Sequence, residues 1–276
     1  MEAGLSDLLL LGVALIGAGG LAGFTAGLFG VGGGFVVVPA LLVVLPLLGG
    51  DPEKHILVAI GTSLATIIVS SARSVQAHSR RGIVDFELLR GWAPWLVLGV
   101  LAGISVASVV NASSLVLVFA IGVLVYSVYF FMPDRFKGST DNHPAVPSGV
   151  GRVALASGLG GFSALLGIGG GTPFIVTMVI CGRSLHQAIA TAAGVGFIIA
   201  IPGALGFLTI GLRDTGLPTG SVGYINVPAL IAISAISIFT APLGATLAHN
   251  LSEIKLKRVF GVYLVCVSLA MLHKSL

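Results

Sequence analysis

From Leu8 to Gly50 the chain runs for 43 residues without a charged side chain. As one helix that stretch would extend about 65 Å, twice the roughly 30 Å hydrocarbon thickness of a bilayer, so two crossings must fit within it. Beyond it, apolar runs bounded by charged residues, Gly or Pro continue to the C-terminus. Together they predict about ten helical segments, near 8–29, 35–49, 55–77, 87–110, 113–132, 151–168, 172–182, 184–210, 225–248 and 254–272. The second carries Pro39 and Pro46, and the seventh is too short to cross a bilayer as a straight helix. Each reads as a crossing, as a short helix that starts inside the membrane, or as a re-entrant hairpin.

The basic residues separate strongly between the two sides that ten crossings define. One side holds Arg73, Arg80, Arg81, Arg90, Arg135, Lys137, Arg152, Arg183, Lys255, Lys257 and Arg258; the other holds Lys54, Arg213 and Lys274, a split of 11 against 3. Lys and Arg concentrate on the cytoplasmic side of membrane proteins, which places the first group inside and both termini outside. Turning back only one of the two weak segments would move Lys255–Arg258 to the outside, so the charge pattern favours ten crossings or short helices starting within the membrane.

Composition agrees with lipid as the solvent: 56% of residues are hydrophobic, 9% are charged, and the mean hydropathy is +1.08, against roughly 25% charged residues in soluble domains. Glu2 and Asp7 precede the first apolar run, which argues for a retained first span rather than a cleaved signal peptide. The formal charge of +4 lies in short loops, not on one soluble face, so membrane orientation explains it better than a nucleic-acid partner. Cys181 and Cys266 sit in apolar segments, where cysteine behaves as a small hydrophobe. His55, His78 and His186 have no metal-ligand spacing, and no nucleophile–base pair is visible, so neither a metal, a cofactor nor an enzymatic activity is expected.

The two parts of the chain resemble each other. Gly27-Leu28-Phe29-Gly30-Val31-Gly32-Gly33-Gly34 is matched by Ala164-Leu165-Leu166-Gly167-Ile168-Gly169-Gly170-Gly171 at an offset of 137 residues. Val118-Phe119-Ala120 matches Val259-Phe260-Gly261, and Gly103 matches Gly244, both at an offset of 141. Five spans per half force the second copy to enter the membrane from the opposite side. The expected fold is therefore an all-α polytopic membrane protein of about ten transmembrane helices. It divides into two inverted five-helix repeats with glycine-rich helix breaks, residues 1–132 and 151–276, joined by a Pro-rich cytoplasmic linker, 133–150.

Inverted repeats commonly hold substrate near the midplane, at interrupted helices whose N-termini face an anionic group. Each G-x-G-G-G run, Gly30–Gly34 and Gly167–Gly171, follows an apolar helix and precedes a short segment containing Pro39 or Pro173. Glycine permits positive φ, and a helix starting directly after such a turn presents N–H groups and a positive dipole end to an anion. Small residues at this spacing also serve plain helix packing; their recurrence in both halves favours a site. Neither run precedes Lys-Ser/Thr, which argues against a nucleotide loop. Gly61-Thr62-Ser63, followed by Ser70, Ser71 and Ser74 on the same span, and Ala190-Thr191-Ala192-Ala193 offer hydroxyls, either to an anion or to their own helices. Arg73 either attracts substrate or snorkels to the headgroups, and the His78–Asp85 loop anchors topology or gates.

The ordered set of Gly27–Gly34, Ala59-Ile60-Gly61-Thr62-Ser63-Leu64, the His78–Asp85 loop and the second glycine run resembles the sulfite exporter TauE/SafE family of membrane permeases over nearly the whole chain. The resemblance implies transport of sulfur-containing anions such as sulfite, thiosulfate, organosulfonates or sulfocarboxylates across a bacterial-type cytoplasmic membrane. Combined with the glycine turns, it predicts a secondary transporter whose substrate is held by Gly30, Gly32, Gly33, Gly34, Gly167, Gly169, Gly170 and Gly171, with hydroxyls from Thr62, Ser63, Thr172 and Thr191. Ala192 stands where the first half has Ser63, so the second half offers one hydroxyl fewer. Arg73 and His78 are candidates for gating or anion attraction. An anion channel and a non-transporting membrane scaffold are the competing readings. The identity and direction of the anion, protons or sodium as coupling ion, and a homodimer as oligomeric state stay open.

Overall fold

The computed structural model describes residues 5–131, 145–250 and 253–275. Among them lie ten α-helices: α1 Leu5–Phe29, α2 Gly34–Val44, α3 His55–Ser79, α4 Phe86–Ala107, α5 Ala112–Phe131, α6 Gly149–Leu166, α7 Gly171–Ile180, α8 Leu185–Gly211, α9 Val227–Asn250 and α10 Glu253–Ser275. They start and stop within a few residues of the apolar runs. Residues 132–144, which hold most of the expected linker, lie outside the described residues, and α6 starts at Gly149.

By length and composition six of the helices can cross a membrane, those within Gly12–Phe29, Pro52–Ser79, Phe86–Ala107, Gly149–Leu166, Leu185–Gly211 and Val227–Ala248. Helices α2 and α7 are about 16 and 15 Å long, half the hydrocarbon thickness. Large apolar side chains cover the outside: Phe239 is 75% and Leu243 62% exposed. Lipid satisfies such a surface and water does not. The molecule is a multi-pass, all-α membrane protein.

Helix α3 forms the centre, buried along most of its length, and packs against α8. A Cβ on Gly203 would touch Leu64, and one on Gly196 would touch Ser71, so the two helices run antiparallel. Helix α1 packs parallel to α9, because Gly19, Gly23 and Gly27 face Ile233, Ser237 and Ala241 in turn. Helix α6 packs parallel to α4 in the same manner, with Ser157 against Gly99 and Gly161 against Gly103. Without an apolar driving force between helices in lipid, such small-residue stripes supply the close approach that van der Waals attraction needs. Helix α5 meets α10, where Ser268 Oγ donates to the Ala120 carbonyl at 2.9 Å.

The connection between α8 and α9 contains a small antiparallel hairpin, β1 Ser221–Val222 and β2 Ile225–Asn226, that the apolar pattern did not predict. Gly223, with φ 54°, opens its two-residue turn.

Candidate functional site

Both G-x-G-G-G runs break the chain between two helices. In the first, Gly30, Gly32 and Gly33 take φ of 66°, 74° and 81°; in the second, Gly167 and Gly170 take 63° and 66°. Positive φ ends α1 and α6, and Gly33 and Gly170 stand as the left-handed residues directly before α2 and α7. After α6 the chain closes with Ile168 N–H on the Ser163 carbonyl at 3.1 Å, a Schellman-type cap. Pro173 falls in the first turn of α7, where its missing N–H breaks no helical bond.

The two turns press on each other. A Cβ on Gly34 would overlap the Gly167 carbonyl oxygen, and a Cβ on Gly171 would overlap that of Gly30. The first turn of α2 in one half thus abuts the break in the other, and the reverse holds for α7. All eight candidate glycines are buried.

Helix α3 lays a polar stripe along this junction. Ser63 Oγ donates to Gly167 O at 2.7 Å, Ser70 Oγ to Gly32 O at 3.1 Å and Ser74 Oγ to Ala26 O at 3.1 Å, while His78 Nε2 lies 3.1 Å from Gly27 O. His78 is buried, so it serves the end of α1 rather than the headgroups. Arg73 Nη1 donates to Gln76 on its own helix at 2.7 Å and is not brought to the glycine turns.

Thr62 and Thr191, 129 residues apart, do the same job in opposite halves. Thr62 Oγ1 accepts the Asn226 N–H at 2.8 Å, and Thr191 Oγ1 accepts the Asp85 N–H at 3.1 Å. Asn226 and Asp85 each immediately precede a helix and cap it: Asn226 Oδ1 accepts from Ala229 N at 3.1 Å, and Asp85 Oδ1 from Leu88 N at 2.9 Å. Three predicted site hydroxyls, Thr62, Ser63 and Thr191, therefore already bond backbone groups. The side chain of Thr172 lies outside what the structure describes.

Ion pairs flank these threonines. Lys54 Nζ lies 3.5 Å from Asp214 and donates to the Thr215 carbonyl at 2.7 Å; Arg183 lies 3.7 Å from Asp85. Lys54 and Arg183 are also 129 residues apart. The Tyr224 hydroxyl donates to Asp214. Burial, then that hydrogen bond and the carboxylate's charge, push the Tyr224 phenol far above its ordinary range.

Two cavities adjoin the Arg183 side. One, about 460 Å³ and mostly apolar, opens between α3, α4 and α8 at Val75, Leu89, Arg90 and Phe197. The other, about 350 Å³ and polar, lies among Asp85, Glu87, Arg152 and Arg183. Among the described residues no three His, Cys, Asp or Glu side chains cluster in a way that would hold a metal.

Sequence reasoning missed Asn226 and gave Asp85 only a loop role, while the hydroxyls of Ser70 and Ser74, offered to an anion, are bonded to the Gly32 and Ala26 carbonyls. One signal was available: Gly82-Ile83-Val84-Asp85 and Gly223-Tyr224-Ile225-Asn226 repeat at an offset of 141, the same as Gly103 and Gly244.

Residues 15–271 match the family model described as "Sulfite exporter TauE/SafE". A probable membrane transporter protein of Haemophilus influenzae is 32% identical over 257 residues, covering 93% of this chain and 96% of that protein. A probable membrane transporter protein of Methanocaldococcus jannaschii is 25% identical over 93% of this chain and 95% of its own length. One from Bacillus subtilis is 22% identical over 96% and 98%. No solved structure matches significantly.

Proposed function

This chain belongs to the sulfite exporter TauE/SafE family, and from that premise we propose that it is a secondary transporter carrying a small sulfur-containing anion across the cytoplasmic membrane by alternating access. Sulfite, thiosulfate, organosulfonates and sulfocarboxylates are the substrate class. Membrane transport is the activity that the family and the names of its relatives indicate; the sulfur anion, the mechanism and the residues below are our reading.

The observation that carries it is the reciprocal seating of the two glycine turns, Gly34 on Gly167 and Gly171 on Gly30. It brings the N-termini of two short helices from opposite halves to one buried place. The first N–H groups of each helix have no intrahelical partner, and both dipoles present their positive ends. This attracts an anion without a buried full charge, whose insertion into a membrane costs at least about 2.5 kcal/mol.

The antiparallel α3 and α8, and the exchange of α1–α9 for α6–α4 packing, support two inverted five-helix repeats within 1–132 and 151–276, joined by a cytoplasmic linker. In that arrangement all ten helices traverse the protein, α2 and α7 from its interior, and both termini lie outside. Lys54 with Asp214 then closes the outer face, and Arg183 with Asp85 the inner one. Protons or sodium are candidate coupling ions.

Uptake of labelled sulfite, thiosulfate and sulfoacetate into proteoliposomes tests this, with and without a pH or sodium gradient and with unlabelled anion preloaded. Saturable uptake that preloading accelerates is expected. Non-saturating flux would assign a channel, and no flux of any of the three would overturn the substrate class.

A further inference from the structure

Two hydroxyls at the glycine turns have no role in the packing described above. Ser71 on α3 and Ser163 on α6 are both 0% exposed, and neither Oγ has a hydrogen-bond partner among the described residues. A serine inside a helix ordinarily returns its proton to a carbonyl one turn back. Neighbouring side chains on α3 do this or reach another segment: Thr66 bonds the Ser63 carbonyl, Ser70 the Gly32 carbonyl and Ser74 the Ala26 carbonyl. Ser71, among them, does not.

Both orphan hydroxyls lie against a glycine turn. A Cβ built on Gly32 would stand 3.4 Å from Ser71 Oγ, and one on Gly196 2.8 Å from it; a Cβ on Gly170 would stand 3.0 Å from Ser163 Oγ. Any larger residue at Gly196 or Gly170 would crowd the hydroxyl or its neighbours. Gly169 connects the two places, since it follows Gly167-Ile168, precedes Gly170 and packs on Gly196. One hydroxyl therefore faces the first turn and one faces the second, each next to the start of a short helix.

A buried hydroxyl without a partner is destabilising, and native proteins rarely keep one without a reason. Among the described residues three serine hydroxyls are buried without a partner; Ser234 lies on α9, and the other two stand one at each turn, while Thr62, Ser63 and Thr191 are already bonded to backbone. We infer that Ser71 and Ser163 are the side-chain hydrogen-bond donors to the transported anion, one from each half. An oxyanion of sulfur offers several acceptor oxygens, which suits two hydroxyls and the first N–H groups of α2 and α7. With no carboxylate among these groups, the site selects anions lacking a positive group: a sulfonate that also carries an ammonium finds no partner for it. This inference rests on the transport reading above.

Ser71→Ala and Ser163→Ala, singly and together, test it in the full-length protein. Melting temperature is measured in detergent without anion, and KM and kcat for sulfite, thiosulfate and sulfoacetate in proteoliposomes. Each alanine variant is expected to keep or raise the anion-free melting temperature, because an unbonded buried polar group is removed. Each raises KM by about tenfold, as the loss of one hydrogen bond to a charged ligand predicts, with a smaller change in kcat. Ser63→Ala is the contrasting variant: it lowers the melting temperature, because it deprives the Gly167 carbonyl of its donor. KM within twofold of wild type in the double alanine variant overturns the inference. A fall in melting temperature at unchanged KM does so too, by assigning both hydroxyls to structure. Wild-type protein that moves none of the three anions overturns the transport reading itself, and the assignment with it.

Discussion

Lys54 and Arg183 occupy corresponding places, just before α3 and α8, and each reaches an acidic residue in the other half; the two junctions they make are nevertheless built very differently. On the Lys54 side, Asp51 N–H donates to Gly216 O at 2.7 Å, Thr219 N–H to Leu48 O at 3.0 Å and Lys54 itself to Thr215 O, while Tyr224 holds Asp214. A hairpin stiffens the whole connection, and Asn226 is fully buried. On the Arg183 side the corresponding contacts are the 3.7 Å ion pair, with 43% of the Arg183 side chain exposed, and the Thr191–Asp85 bond. The two cavities described above, each lined by elements of both halves, open on that side; the cavity near Pro46 and His55 is walled by the first half alone. Residues 129 positions apart in similar places thus carry unequal loads.

The comparison is broken most directly by removing the two threonine acceptors. Thr62→Val leaves the Asn226 N–H buried without a partner, a cost of about 1–3 kcal/mol, whereas at Thr191→Val the partly exposed Asp85 N–H regains water and the loss stays below about 1 kcal/mol. Denaturation in detergent, followed by tryptophan fluorescence, measures both; equal losses would mean that the junctions are equivalent after all. Next come the helix caps. Asn226→Ala and Asp85→Ala each lose about 1 kcal/mol of capping, and Asn226 should lose more because its Nδ2 also bonds Thr219 O and Ser221 Oγ.

Ion pairs sharpen the comparison further. Lys54→Gln is expected to cost up to about 1 kcal/mol and Arg183→Gln about half of that or less, since partly exposed pairs contribute little. The Arg183 effect should vanish in about 0.5 M salt, where the screening length is only a few ångströms. In transport assays Arg183→Gln should change the rate by less than about twofold, and Lys54→Gln by more. The smallest effect concerns pH. A phenol held neutral by the fold contributes in full below its ordinary value of about 10 and loses that contribution as pH rises through its higher folded value. Tyr224→Phe should therefore lower stability by the same small amount from about pH 6 to 9, and a difference that grows within that window would show that Tyr224 is not shielded in this way.

Much of the framework is legible in the sequence. An uncharged run such as Leu8–Gly50 can only be buried or face lipid, and each Gly or charged punctuation mark stands close to a helix end. The glycine runs were legible as helix breaks because a residue without Cβ is what positive φ demands, and both do break helices. The hairpin was not: four residues in two strands leave no periodicity, and Gly223-Tyr224 is a turn only because the strands around it pair. Nor were the partners of the hydroxyls. Thr62, Ser63, Ser70, Ser71 and Ser74 look alike along α3, and the identity of a serine does not say whether a carbonyl of another helix comes within 3 Å of it.

The sequence by itself determined the solvent of this protein, its helical segments and the breaks at Gly30–Gly34 and Gly167–Gly171, because each follows from local chemistry summed along the chain. The tertiary structure alone decided that the two breaks seat on each other, that Thr62 and Thr191 clasp opposite halves, and that Ser71 and Ser163 are left without partners among the described residues. A hydrogen bond extends about 3 Å, while its two ends here are separated by more than a hundred residues, as in Thr62 to Asn226. Only the packing of α3 among its neighbours brings such groups together.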